Sequence, residues 1–163
     1  MSQSQEPSPS TSSGGVDSAR RWLIRCAPIT DQPASVTRRE WLEAYRRAWE
    51  QADVDAAVAL FTEDAVYRSS PFRPPSVGSN GIREYWTAVT SSQRETQVRI
   101  GEPIEAGSKV AVEWWTTMRE GDDEITLPGC LVLRFAEDGR CRELREYWHV
   151  EHRRIDPPEG WGR

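Results

Sequence analysis

The sequence predicts an α+β fold, a curved antiparallel sheet wrapped as a cone around three N-terminal helices. Three observations predict it. Up to about residue 90, apolar residues recur at spacings of three and four, as on the buried face of a helix. From residue 94 the pattern changes toward a period of two, the alternation of a half-buried strand. The segments of this second half are joined by short turns, so consecutive strands must pair antiparallel. Helices gathered on one side of a sheet bury both apolar faces at once.

Residues 1–34 read as a disordered tail, with Ser4, Ser8, Ser10, Ser12 and Ser13 interleaved with Pro7, Pro9, Gly14 and Gly15. Arg20-Arg21 ahead of Trp22-Leu23-Ile24 hints at an export signal, but Arg25 and Pro28 interrupt any apolar segment after it. The domain is expected over 35–155. Thr37-Arg38-Arg39-Glu40 is a capping box opening a helix that carries Trp41, Leu42, Tyr45, Ala48 and Trp49 on one stripe. Asp53 caps a second helix with Val54, Ala57, Val58, Leu60 and Phe61. Thr62-Glu63-Asp64 reads as a break, and Ala65–Phe72 as a strand ending in the loop Pro71-Phe72-Arg73-Pro74-Pro75.

Gly78-Ser79-Asn80-Gly81 starts a third helix with Ile82, Tyr85, Trp86 and Val89 on one side. Four strands follow, over Thr96–Ile104, Lys109–Arg119, Glu124–Phe135 and Cys141–Glu151. Their turns fall at Ala106-Gly107-Ser108, Gly121-Asp122-Asp123 and Asp138-Gly139. Strands this long must twist and curl, which leaves a conical hollow. Residues 156–163, opening on Pro157-Pro158, read as a flexible C-terminal tail.

Composition excludes several functions. The net charge of −5 argues against nucleic-acid binding, which needs a basic face. Arg38-Arg39 and Arg46-Arg47 are interleaved with Glu40, Glu43 and Glu50, the mark of a solvated, ion-paired helix face. No apolar run is long enough to span a bilayer, so no membrane role is expected. Cys26, Cys130 and Cys141 form no C-x-x-C pair, which fits a reducing, cytoplasmic setting.

The run from Trp49 to Tyr67, then Ser70-Pro71-Phe72, Gly78 and Gly81-Ile-Arg-Glu-Tyr-Trp86, resembles the SnoaL-like branch of the nuclear transport factor 2-like (cystatin-like) superfamily. Val110-Ala-Val-Glu-Trp-Trp115, Leu131-Val-Leu-Arg-Phe135 and Glu146-Tyr147-Trp148 continue the likeness over roughly residues 37–152. The resemblance implies a fold and leaves the activity open, because the family holds isomerases, cyclases, epoxide hydrolases, dehydratases and members of no known reaction.

Each family chemistry can be tested on these residues. The ketosteroid isomerase pattern implies an oxyanion tyrosine at Tyr45, but Ser69-Ser70 stands where its carboxylate base should be, and a lone serine cannot take a proton from carbon. The epoxide hydrolase pattern implies an Asp-Arg-Asp set, whose positions here hold Trp114, Thr116 and His149, with Tyr67 and Ser69 at its water-holding places. The polyketide cyclase pattern needs one acid–base group on the last strand, and His149 occupies that place, with Tyr147 and Arg145 on its face. The competing reading makes His149 a half-exposed residue at the cone's mouth.

The catalytic candidates are therefore His149 and Tyr67, and the ligand-binding candidates Tyr45, Ser69, Trp86, Trp114, Thr116 and Tyr147. A slip of one residue in the last strand would exchange its faces and bring Glu146 inward as the better acid–base group. Pairing of Glu113 and Glu146 with arginines such as Arg134 or Arg145 is the expectation. His149 and His152 point to opposite faces of a strand, so no metal site is expected, and no cofactor either. Of the eight tryptophans, Trp86, Trp114, Trp115 and Trp148 line or back the cone. Such walls suit a small apolar ligand, unless they fill the cone and the outer sheet face forms a homodimer instead. Enzyme, non-catalytic binder and dimeric interaction protein all stay open.

Overall fold

The computed structural model describes residues 36–163, so the tail expected over 1–34, and Cys26 within it, lie outside the described residues. The chain runs α1 (Arg38–Glu50), α2 (Val54–Ala59), β1 (Phe61–Arg68), β2 (Ser76–Val77), α3 (Gly78–Thr90), β3 (Gln93–Ile100), β4 (Ile104–Ala106), β5 (Lys109–Glu120), β6 (Asp123–Phe135) and β7 (Cys141–Trp148). The capping box forms as the sequence predicts: the Glu40 amide donates to Thr37 Oγ1 at 3.2 Å, and the Thr37 amide to Glu40 Oε2 at 2.8 Å. Asp53 caps α2 by accepting from the Ala56 amide at 2.9 Å. The stripe of Trp41, Leu42, Tyr45, Ala48 and Trp49 is the buried face of α1.

The sheet order is β2-β1-β7-β6-β5-β3, with β4 paired to β5. The hairpin pairs are antiparallel, but β1 runs parallel to β7. The sheet is thus curved and mixed rather than wholly antiparallel. No short turn joins β1 to β7, since α3 and the hairpins intervene, so nothing forces antiparallel pairing there. Strand β1 also starts earlier than expected: Thr62, Glu63 and Asp64 belong to it instead of breaking it.

A bulge interrupts β7. Arg134 faces Glu143 and Phe135 faces Cys141, so Arg142 has no cross-strand partner. Counting by two from buried Cys141 would turn residues 143, 145, 147 and 149 inward. The extra residue moves the inward face to Leu144 and Glu146, both buried, and leaves Arg145, Tyr147 and His149 exposed. The face expected from alternation alone is the outer one.

Trp41 fills one end of the concave side, stacked on Tyr45 at 5.2 Å and edge-on to Phe61 and Phe135. Toward Trp49, Trp86 and Trp114 that packing opens. Gly129, across from Trp114, makes room for the indole: a Cβ there would sit 2.6 Å from its ring carbons. The C-terminal residues 156–163, expected as a flexible tail, contact the outer face of the sheet. Trp161 meets Trp115 edge-on at 6.0 Å, the Glu102 amide donates to the Gly162 carbonyl at 2.7 Å, and Arg99 pairs with Asp156 at 3.2 Å, while just before the segment the Ile155 carbonyl accepts from the Trp115 indole at 2.9 Å.

Candidate active site

A cavity of about 390 Å³ lies between α1, α3 and the concave sheet face. Its walls are aromatic and aliphatic: Tyr45 and Trp49 from α1, Tyr85 and Trp86 from α3, Trp114 and Met118 from β5, and Ile125 and Leu127 from β6. Ser92, Gln93, Glu120, Trp148, Val150 and His152 also line it.

One carboxyl group is set into this apolar wall. Glu146 is 6% exposed, and its Oε1 accepts hydrogen bonds from the Tyr45 hydroxyl at 3.2 Å and from the Tyr67 hydroxyl. The two hydroxyls lie 2.9 Å apart, closing a three-membered cluster contributed by α1, β1 and β7. Among the described residues Oε2 accepts no hydrogen bond, and no Lys or Arg forms an ion pair with Glu146. The pairing with arginine expected for this residue goes instead to Glu143, which meets Arg145 at 2.6 Å and Arg134 at 3.7 Å. Both arginines lie on the outer side of the bulge.

Burial sets the electrostatics. Loss of water raises the Glu146 carboxyl from the ordinary 4.5 to about 7, against the tyrosine hydrogen bonds that pull it down. Tyr45 and Tyr67 are pushed well above the ordinary phenol value, first by burial and then by the Glu146 charge. They therefore remain protonated donors, while the carboxyl passes between acid and base near neutrality.

The expected site residues divide into three sets. Tyr45, Tyr67, Trp86 and Trp114 come together in the cavity. Ser69, Tyr147 and His149 line a separate shallow groove with Pro71 and Phe72, which meets the cavity only at Glu146 and Trp148. Thr116 is buried and lines neither, and its Oγ1 has no hydrogen-bond partner. The Trp86 and Trp114 indole N–H groups are likewise unpartnered, each beside an edge-on ring, Tyr45 at 5.4 Å and Trp49 at 5.0 Å.

Tyr85 and Trp49 are lining residues that sequence reasoning had placed only in helix packing. Their side of the helix stripe was legible; the hollow beside it was not. His152 joins the lining through the segment after β7. Among the described residues, no three His, Cys, Asp or Glu side chains converge on a possible metal position, and no helix is long and apolar enough to cross a membrane.

Comparison with known proteins places this arrangement. A cone of helices under a curved, unclosed sheet, hollow at one end, is the nuclear transport factor 2-like α+β fold. Within it, the chain belongs to the SnoaL-like domain family, which matches residues 42–144. Among solved structures, the epoxide hydrolase/cyclase-like enzyme SalBIII, of pyran ring formation in the polyether salinomycin, is 22% identical. Its match covers 69% of this chain and 92% of that one, with a TM-score of 0.61. A ketosteroid isomerase-like fold from Catenulispora acidiphila, in complex with trimethylamine, is 19% identical over 68% and 86%, with a TM-score of 0.62. An LEH-like epoxide hydrolase of M. tuberculosis is 21% identical over 67% and 80%, with a TM-score of 0.57. At these identities the likeness speaks for the fold. No curated protein matches the chain.

Proposed function

We propose that the protein binds a small, flat, largely apolar metabolite in the cavity and performs general acid–base chemistry on it, of the cyclase, isomerase or hydratase kind. The observation that carries this reading is the Glu146 carboxyl, buried in an aromatic wall with one oxygen held by two tyrosines and the other without a hydrogen-bond partner among the described residues. A carboxyl poised near neutrality can take a proton from a bound carbon or oxygen acid and return it elsewhere. In this reading Tyr67 and Tyr45 orient the carboxylate and spread its charge, and Trp86 and Trp114 hold the ligand's flat faces. The acid–base part expected of His149 passes to Glu146, because His149 is exposed in the outer groove.

The test pairs turnover with binding. Against a panel of aromatic and polycyclic substrates, Glu146→Gln is expected to lose about 10²- to 10⁴-fold in kcat while still binding. Unchanged turnover in that variant would remove the role. The outer sheet face, where Val132 and Tyr147 stay exposed, supports extending the proposal to a homodimer, which light scattering checks. Free thiols at Cys130 and Cys141 accord with the same proposal's reducing, cytoplasmic setting.

A further inference from the structure

The cavity combines two features that its acid–base reading leaves unexplained. Among the described residues its carboxylic acids, Glu146 in the wall and Glu120 at the mouth, have no positive counterpart in the lining: neither Lys nor Arg is part of it, and its one basic residue is His152, exposed at the rim. Its walls are also rich in π surface, with Tyr45, Trp49, Tyr67, Tyr85, Trp86 and Trp114 surrounding the space. The groups placed against Glu146 are neutral, Tyr45 from α1, Tyr67 from β1 and Leu131 from β6, and Tyr85 from α3 and Trp114 from β5 share its cavity wall. Arg73, on the loop after β1, is near enough to act on Tyr85 but lies outside the lining.

A buried carboxylate without a countercharge is costly unless its partner arrives with the ligand. Aromatic rings around an apolar space attract a weakly hydrated cation through their negative faces. We infer that the cavity selects ligands bearing a positively charged alkylated nitrogen, which would sit among the aromatic rings and face the Glu146 carboxylate. The inference rests on the reading of this cavity as the ligand site, and adds the chemical class of the ligand. One desolvated cation–π contact alone gives roughly 25-fold in affinity, and the carboxylate adds to it. Alkyl groups on the nitrogen matter because a primary ammonium keeps a stronger water shell, whereas N-methyl groups also fill an apolar wall.

The experiment compares two probes of one shape, benzyltrimethylammonium and its neutral carbon counterpart neopentylbenzene, by calorimetry on the full chain. At pH 8 the cation is expected to bind at least tenfold tighter. Its affinity should fall about tenfold between pH 8 and pH 6, as Glu146 takes up a proton, while that of the neutral probe stays level. Glu146→Gln should cut the cation's advantage about tenfold at pH 8, remove its pH dependence and keep the neutral probe, which also shows that the variant folds. A neutral probe that binds as tightly as the cation overturns this inference and leaves the apolar-ligand reading standing. If neither probe nor any member of the aromatic panel binds, both readings fall.

Discussion

The Tyr67 hydroxyl donates to Glu146 Oε1 across the parallel pairing of β1 and β7, the one parallel contact in the sheet. Because Tyr67 sits opposite Leu144 in that register, its side chain reaches one inward position further along β7, to the carboxyl. Tyr45 arrives from the helix layer above, so the charge of Glu146 is governed by two independent elements of the fold.

This geometry makes stability depend on pH in a definite direction. The folded chain holds the Glu146 proton up to about pH 7, whereas the unfolded chain releases it near the ordinary 4.5. Between those values the native state binds more protons, so stability falls as pH rises through the window and the full penalty is present above it. Glu146→Gln removes this term. The loss of unfolding free energy from pH 5 to pH 8 should shrink by about 2 to 3 kcal/mol in the variant, measured by urea titration at both pH values.

Removing one tyrosine donor acts on the same carboxyl in the opposite sense to a charge partner. In Tyr67→Phe the hydrogen bond that stabilises the carboxylate is lost while burial remains, so Glu146 should titrate above its present value of about 7. Carboxyl-carbon NMR follows the midpoint directly. A midpoint that stays put or falls would contradict the cluster geometry.

Substitution of His149 tests the placement of the outer face. Its side chain lies beyond the bulge in the shallow groove, so His149→Ala should leave ligand affinity in the cavity within about twofold, as exposed substitutions usually do. Calorimetry with either cavity probe reads the result.

Gly129→Ala should destabilise the protein by about 1 to 3 kcal/mol in urea unfolding, since the added carbon meets the Trp114 ring at 2.6 Å and the Tyr147 carbonyl at 2.8 Å. The indole must shift to relieve the contact, so the cavity probes should weaken too.

Trp161→Ala should cost about 0.5 to 1.5 kcal/mol, the worth of an edge-on aromatic pair, through loss of its contact with Trp115. A neutral outcome would show that the C-terminal segment is held by its backbone bonds alone.

Much of this architecture was legible in the residues. The capping box at Thr37, the helix stripes and the Gly-centred turns are local signals, and each folds as its chemistry dictates. The parallel partner of β1 was not legible, because its choice depends on contacts made across most of the chain. Of the candidate site, four residues that line the cavity, Tyr45, Tyr67, Trp86 and Trp114, could be named from stripes, alternation and resemblance. Glu146 was obscured by one residue, Arg142, whose bulge leaves no composition signal and shifts every later side chain of β7 by one place. Tyr85 and Trp49 were hidden for another reason, since packing residues and lining residues share the same helical period.

The unpaired Arg142 also bears on how such a domain changes its trade over generations. The strand already accommodates one unpaired residue there, and a one-codon deletion beyond it, at Arg145, would shift the alternation, sending Glu146 outside and bringing Tyr147 and His149 to the interior. One small deletion could thus replace a carboxylic acid with an imidazole and a phenol, leaving helices, hairpins and hollow as inherited.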